Sequence, residues 1–327
     1  MRDLVSILEI SRGNVPEILG PLHIITLVIA TALSIFVGIY FRGKKDISTY
    51  KKIMFSLGVF FIFTEIWKLF IMSFPSTGEH YFRLREFPLQ LSTLPLPVML
   101  IASLTVKKER VHHLLNYFMA TYLMMGGIAA VVNPATMLRD PFFIPIHSLT
   151  LHTAMLVVGV YLFAAGFVKF EFKSYWFKRA FMMFLVYVVV SQSLNVGAGL
   201  LGIFRAGYNG IGRTYTSGAY AGDFLILGHV SPWHISTIPV ARQVQLFILN
   251  QFDHLAAAYI GSVIAYILAT TAAAYFVFIT SSGISRLYNK ITGNKKKLHF
   301  SQHKCYNNEV NEQISTVEQI QLLESEG

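Results

Sequence analysis

Residues 53–73 read IMFSLGVFFIFTEIWKLFIMS. Glu65 and Lys68 are the only charges in this run, and as a helix it covers roughly 30 Å, the thickness of a bilayer's hydrocarbon core. Lipid offers no partner to an unpaired backbone N–H or C=O, and the run lacks the alternation of a barrel strand, so a helix is expected. Glu65 and Lys68 stand three residues apart, hence on one face, where they can pair. A charge at mid-membrane costs about 2.5–3.5 kcal/mol on insertion scales, so that face should turn inward.

Six more apolar runs surround this one, at about 22–40, 88–105, 113–132, 146–168, 177–203 and 254–280, of which 88–105 is interrupted by Pro88, Pro95 and Pro97. Hydrophobic residues make up 54% of the 327-residue chain and charged residues 13%. Basic clusters follow alternate runs: Arg42, Lys44, Lys45, Lys51 and Lys52, then Lys107, Lys108 and Arg110, then Lys169, Lys173, Lys178 and Arg179, then Arg286, Lys290 and Lys295 to Lys297. The other connections balance, with Glu79, Arg83, Arg85 and Glu86 in one and Arg139 and Asp140 in the next. The positive-inside rule then predicts an all-α polytopic membrane protein of seven transmembrane helices, N-terminus outside and C-terminus cytoplasmic, in the cell membrane. The net charge of +10 becomes a topology signal, not a nucleic-acid footprint, and the basic connections would also meet anionic lipid head groups.

No small-residue cleavage pattern follows the first run, which ends Tyr40-Phe41-Arg42, so it reads as a retained helix and not a signal peptide. Residues 1–283 form one expected membrane domain. Its connection of about 204–250 is glycine-rich and includes Phe224-Leu225-Ile226-Leu227, the pattern of an outer lid. Residues 284–327 form an expected cytoplasmic tail, basic and then acidic, too polar to build a core. Cys305 is the single cysteine, so no intrachain disulfide is available.

The unusual polar residues concentrate in the outer half of these spans. Glu65 and Lys68 lie about 8–12 Å below the outer end of the second, Ser92 one turn into the third, and His147 and His152 in the first turns of the fifth. Ser191, Gln192 and Asn195 line the outward end of the sixth, and His23 and His254 open the first and seventh. The inner half holds almost nothing comparable, which predicts an outward-facing polar cavity. Bland readings stand beside this one. Glu65 and Lys68 suit a structural ion pair, His23, His147 and His254 suit interfacial caps, and serines commonly bond within membrane helices. His152, two turns inside an apolar helix, is the hardest to read as structural.

Read in order, Glu65-x-x-Lys68, Phe87-Pro88-Leu89-Gln90-Leu91-Ser92, Gly126-Gly127 running to Asn133-Pro134, and a fifth helix with His152 form a pattern. Over roughly residues 20–280 it resembles the YwaF-like integral membrane proteins, which look related to the transmembrane acyltransferase of ether phospholipids and distantly to the androgen-induced membrane hydrolases. The family's third-helix motif typically reads Leu-Pro-Leu-His-Leu-Cys, with the cysteine as proposed acyl acceptor. Here Phe87 replaces the first leucine, Gln90 the histidine and Ser92 the cysteine. The resemblance implies Ser92 as nucleophile and His152 as its base, although a hydroxyl is far less acidic than a thiol and needs a well-placed base. Pro232-Trp233 is similar to the family's outer-loop motif.

The expected chemistry is acyl transfer or acyl hydrolysis on membrane lipids, with a phospholipid acyl donor and a lysophospholipid or water as acceptor. Ser92 and His152 would be catalytic, with Glu65, Lys68, Gln90, Asn195 and His147 lining the cavity or supporting the oxyanion. No cofactor, metal or nucleic-acid partner is expected. Two other classes fit parts of the pattern. A seven-helix transporter or receptor would use the cavity for a small or lipid ligand, though no internal repeat supports alternating access. A zinc hydrolase would draw on the outer histidines, but His147 and His152 stand about 140° apart around the helix, a poor pair for one ion.

Overall fold

The computed structural model describes residues 18–73, 93–134, 143–169, 175–200 and 255–291. All regular structure among them is helical: α1 (Pro21–Tyr40), α2 (Ile47–Ser73), α3 (Pro95–Leu104), α4 (Glu109–Phe118), a π-helical turn (Met119–Leu123), α5 (Met124–Val132), α6 (Phe143–Ala164), α7 (Tyr175–Leu200) and α8 (Leu255–Ile291). The chain divides into two units, Met1–Ser282 and Gly283–Gly327, and only the last turns of α8 are described in the second. Five segments are long and apolar enough to cross a membrane: Pro21–Tyr40, Ile47–Ile71, Glu109–Val132, Phe143–Ala164 and Tyr266–Ile284. The expected lid of 204–250 and the tail beyond Ile291 lie outside the described residues.

Local chemistry sets the helix ends. Pro21 and Pro95 occupy first turns, where a missing N–H costs nothing. Two of the three prolines that interrupt the third apolar run, Pro95 and Pro97, thus fall where α3 begins. Asp46 caps α2, its carboxylate accepting the amides of Ser48 (3.1 Å) and Thr49 (2.9 Å) and the Thr49 hydroxyl (2.5 Å). The Thr49 hydroxyl first, then those two amides, hold the Asp46 carboxyl below its ordinary range. The α6 terminus is a Schellman motif: Phe167 N–H donates to Leu162 O (2.9 Å) and Gly166 N–H to Phe163 O (3.1 Å). Its Gly166 sits at φ +86°, which a side chain would resist.

The continuous span Glu109–Val132 is the centre of the bundle, with 72% of its apolar window buried, against 11% for Pro21–Tyr40. Around it α2 packs on α3, α5 and α1 on α6, and α4 on α7. Tyr122, in the π-turn, stacks on Phe184 of α7 at 4.6 Å and its hydroxyl reaches Thr271 of α8 at 3.4 Å. Exposed Ile25, Val28, Phe36 and Ile39 on α1, and Phe60, Phe63 and Ile66 on α2, form outward apolar faces of the kind that lipid covers.

The other half of the bundle is not bare of buried polar groups. The Tyr50 hydroxyl donates to Asn116 Oδ1 at 2.6 Å, and Asn116 Nδ2 donates to His112 Nε2 at 3.1 Å. This chain ties α2 to α4 at a level 15 residues, roughly 22 Å, from Glu65 along α2. His112 and Asn116 share a face by their i, i+4 spacing, but their meeting with Tyr50 is tertiary. Asn116→Ala would orphan both neighbours at about 1–3 kcal/mol each, whereas Tyr50→Phe removes one bond worth about 1 kcal/mol. Detergent melting should therefore rank Asn116→Ala clearly below Tyr50→Phe; equal melting points would show that the network is not coupled.

Candidate functional site

The helical period places four of the predicted polar residues in one region. Glu65 and Lys68 lie 8 and 5 residues from the Ser73 end of α2; His147 and His152 lie 4 and 9 residues from the Phe143 end of α6. At 1.5 Å per residue these are depths of roughly 6–14 Å, and all four side chains are buried. Lys68 Nζ meets Glu65 Oε1 at 2.5 Å, so the i, i+3 pair forms as its spacing implied. Across the helix interface, Glu65 Oε2 lies 3.4 Å from His147 Nε2. One carboxylate thus pairs with an ammonium on its own helix and lies close to an imidazole on α6.

His147 is therefore not an interfacial cap. Its ring stacks on Phe143 at 6.0 Å and turns inward to Glu65. His23 does act as a cap: its Nδ1 accepts the Leu19 amide at 3.0 Å, and its Nε2–H donates to Val131 O at 2.9 Å. That second bond fastens α1 to the end of α5. Both His23 nitrogens are thereby engaged with backbone.

His152 Nδ1 lies 2.7 Å from the carbonyl oxygen of Ser148, one turn earlier. A carbonyl can only accept, so Nδ1 carries the proton and the neutral ring keeps its lone pair on Nε2. The ammonium of Lys68 is within electrostatic range of His152 and of His147. Glu65 Oε2 lies beside His147, while His152 is held by the Ser148 carbonyl. Behind His152 the backbones of α5 and α6 nearly touch. A methyl group added at Gly127 would stand 2.7 Å from His152 O and 2.7 Å from Leu156 N. The glycine that ends the Gly126-Gly127 pair is thus what lets α5 seat against α6 at this residue.

Ser92 and Gln90 lie outside the described residues, and Asn195 belongs to α7 with its side chain undescribed. Thr93, the residue after Ser92, is buried just ahead of α3. Among the described residues no group of three or more His, Cys, Asp or Glu side chains is placed to hold a metal ion. The Glu65–His147 contact and the role of Gly127 were not readable in advance, because each depends on which helix lies opposite.

A family model for the TMEM164 family matches residues 18–249, more than two thirds of the chain and all of the site just described. The chain belongs to the TMEM164 family. Its membership and its long apolar helices make it a multi-pass membrane protein. No curated protein and no solved structure matches this TMEM164-family chain.

Proposed function

We propose that this TMEM164-family protein transfers or hydrolyses acyl groups of membrane lipids inside the bilayer of the cell membrane. In this reading the chain spans the membrane seven times with its N-terminus outside. The observation that carries it is His152, a buried imidazole inside an apolar helix, held by the Ser148 carbonyl in the tautomer that presents Nε2 as a base. The likeness of Phe87 to Ser92 to the Leu-Pro-Leu-His-Leu-Cys motif supplies the partner, and the alternation of basic and balanced connections supports the topology.

In the proposed reaction the Ser92 hydroxyl oxygen attacks the ester carbonyl carbon while its proton passes to His152 Nε2. Collapse of the tetrahedral intermediate breaks the bond to the lipid alcohol, which leaves with the proton from His152 as the acyl-serine forms. A lysophospholipid hydroxyl or water then repeats the cycle from the other side, returning Ser92 to its starting state. Gln90 and Asn195 are the proposed donors to the oxyanion. Lys68 contributes positive potential, and its pairing with Glu65 leaves no net charge in the hydrocarbon.

The test is lipid turnover by the purified protein in liposomes carrying an isotope-labelled acyl chain, followed by mass spectrometry. Ser92→Ala and His152→Ala should each slow turnover by about 10²–10⁴-fold, and the double variant little further, since nucleophile and base act as a unit. Ser92→Cys should retain or raise turnover. Unchanged turnover in Ser92→Ala would remove the nucleophile and with it the reading.

A further inference from the structure

Two histidines on α6 are held in opposite ways, and only one of them serves the proposed acyl chemistry. His152 gives its Nδ1 proton to the Ser148 carbonyl and keeps its lone pair on Nε2. The surroundings of His147 differ. Its Nε2 lies 3.4 Å from Glu65 Oε2, too long for a hydrogen bond but close enough for charge to decide which atom faces which. Glu65 pairs with the Lys68 ammonium at 2.5 Å, so Oε2 is a carboxylate oxygen and would repel a lone pair turned toward it. The proton of His147 therefore sits on Nε2, and the lone pair on Nδ1. That Nδ1 is buried and has no hydrogen-bond partner among the described residues. The side chain is 3% exposed, so bulk water does not reach it. A buried acceptor in this state costs free energy, and such atoms are few in folded proteins. What it lacks is a donor.

Depth indicates where the donor comes from. His147 lies five residues nearer the Phe143 end of α6 than His152, a rise of roughly 7.5 Å. A glycerophospholipid is layered in the same order, with its esters deeper in the membrane and its head group nearer the surface. An ester brought to His152 thus carries its head group toward the level of His147. Head groups differ in what they can offer an acceptor. Choline has neither an O–H nor an N–H. An ammonium head group has N–H donors but adds a positive charge, and the neighbouring Glu65 is already matched by Lys68. A hydroxyl supplies the donor without a charge.

We propose that His147 is a specificity-determining residue, its Nδ1 accepting a hydrogen bond from a hydroxyl on the head group of the lipid whose ester reaches His152. This assignment rests on the acyl chemistry at His152, and it concerns which lipid is chosen, not how its ester is cleaved. No bond forms or breaks at His147. Phe143, stacked on its ring at 6.0 Å, packs against the plane of the imidazole.

The experiment uses the full chain in phosphatidylcholine nanodiscs doped with phosphatidylglycerol or with phosphatidylethanol of the same acyl chains. Both dopants carry one negative charge on phosphate, and only the first has head-group hydroxyls. Native mass spectrometry of the retained lipid reads recognition without any turnover. Phosphatidylglycerol should be retained about fivefold better, the worth of one net hydrogen bond. His147→Phe keeps an aromatic ring beside Phe143 but has no acceptor, and it should close the gap between the two lipids. His147→Gln restores an acceptor oxygen and should reopen part of it. Should His147→Phe fail to fold, His147→Met, flexible and a poor acceptor, takes its place. Equal retention of the two dopants by the unsubstituted protein would overturn the proposal, and so would a gap that survives in His147→Phe or His147→Met. A retention gap without acyl turnover in liposomes would remove the chemistry and leave the head-group site. Turnover without a gap would remove the site and leave the chemistry.

Discussion

Gly127→Ala should destabilise the protein by at least about 2 kcal/mol, while Gly126→Ala one residue earlier should be neutral or mildly stabilising. Alanine is the better helix former by about 1 kcal/mol at either position, so propensity favours both changes. Packing separates them. The new methyl at residue 127 would meet two backbone atoms of α6 at 2.7 Å, and backbone cannot rotate aside. At residue 126 it would meet the terminal methyl of Met155 at 3.2 Å, the far end of a flexible side chain. Detergent melting of the two variants checks this directly. If both are tolerated, the close approach of α5 and α6 is not needed for the fold. Because the contact falls on the His152 carbonyl, Gly127→Ala should also move the imidazole. Its loss of lipid turnover should then exceed its loss of folded protein.

The second large effect concerns the ion pair. Glu65 and Lys68 are 1% and 7% exposed, so neither charge has water to fall back on. Lys68→Met should cost about 3–5 kcal/mol, the range for breaking a buried pair by removing one partner, because the Glu65 carboxylate stays behind in an apolar bundle. Glu65→Gln with Lys68→Met removes both charges together and should recover a large part of that loss. The glutamine keeps the shape of Glu65 beside His147. Equal melting points for the single and the double variant would show that the two residues are not coupled. Against the structural alternative, the double variant also offers a functional reading: a stable protein with reduced turnover would place Lys68 in the chemistry and not only in the packing.

Much of the architecture was legible before any coordinates. An apolar run of 21 residues with two charges three apart can be little else than a membrane helix with one inward face, and α2 bears this out with its buried Glu65–Lys68 pair. The histidines expected on the outer side divided in a way that sequence spacing could not decide. His23 and His147 both sit near helix starts, yet one caps backbone and the other faces a carboxylate. The expectation that the inner half holds almost nothing comparable failed for a related reason. Tyr50 and Asn116 lie on different helices, and only their contact shows a buried network.

By itself the sequence determined the helical class, the rough positions of the apolar runs and the i, i+3 ion pair. These depend on hydropathy, on periodicity and on neighbours within about one turn, all of which are written along the chain. The tertiary structure alone decided that Glu65 lies beside His147, that Gly127 lies against the backbone of His152, and that the Tyr50 hydroxyl meets Asn116. Each of those contacts joins residues on different helices or connections, and the rotation and register of one packed helix against another follow from side-chain fit at the interface, which no local pattern encodes.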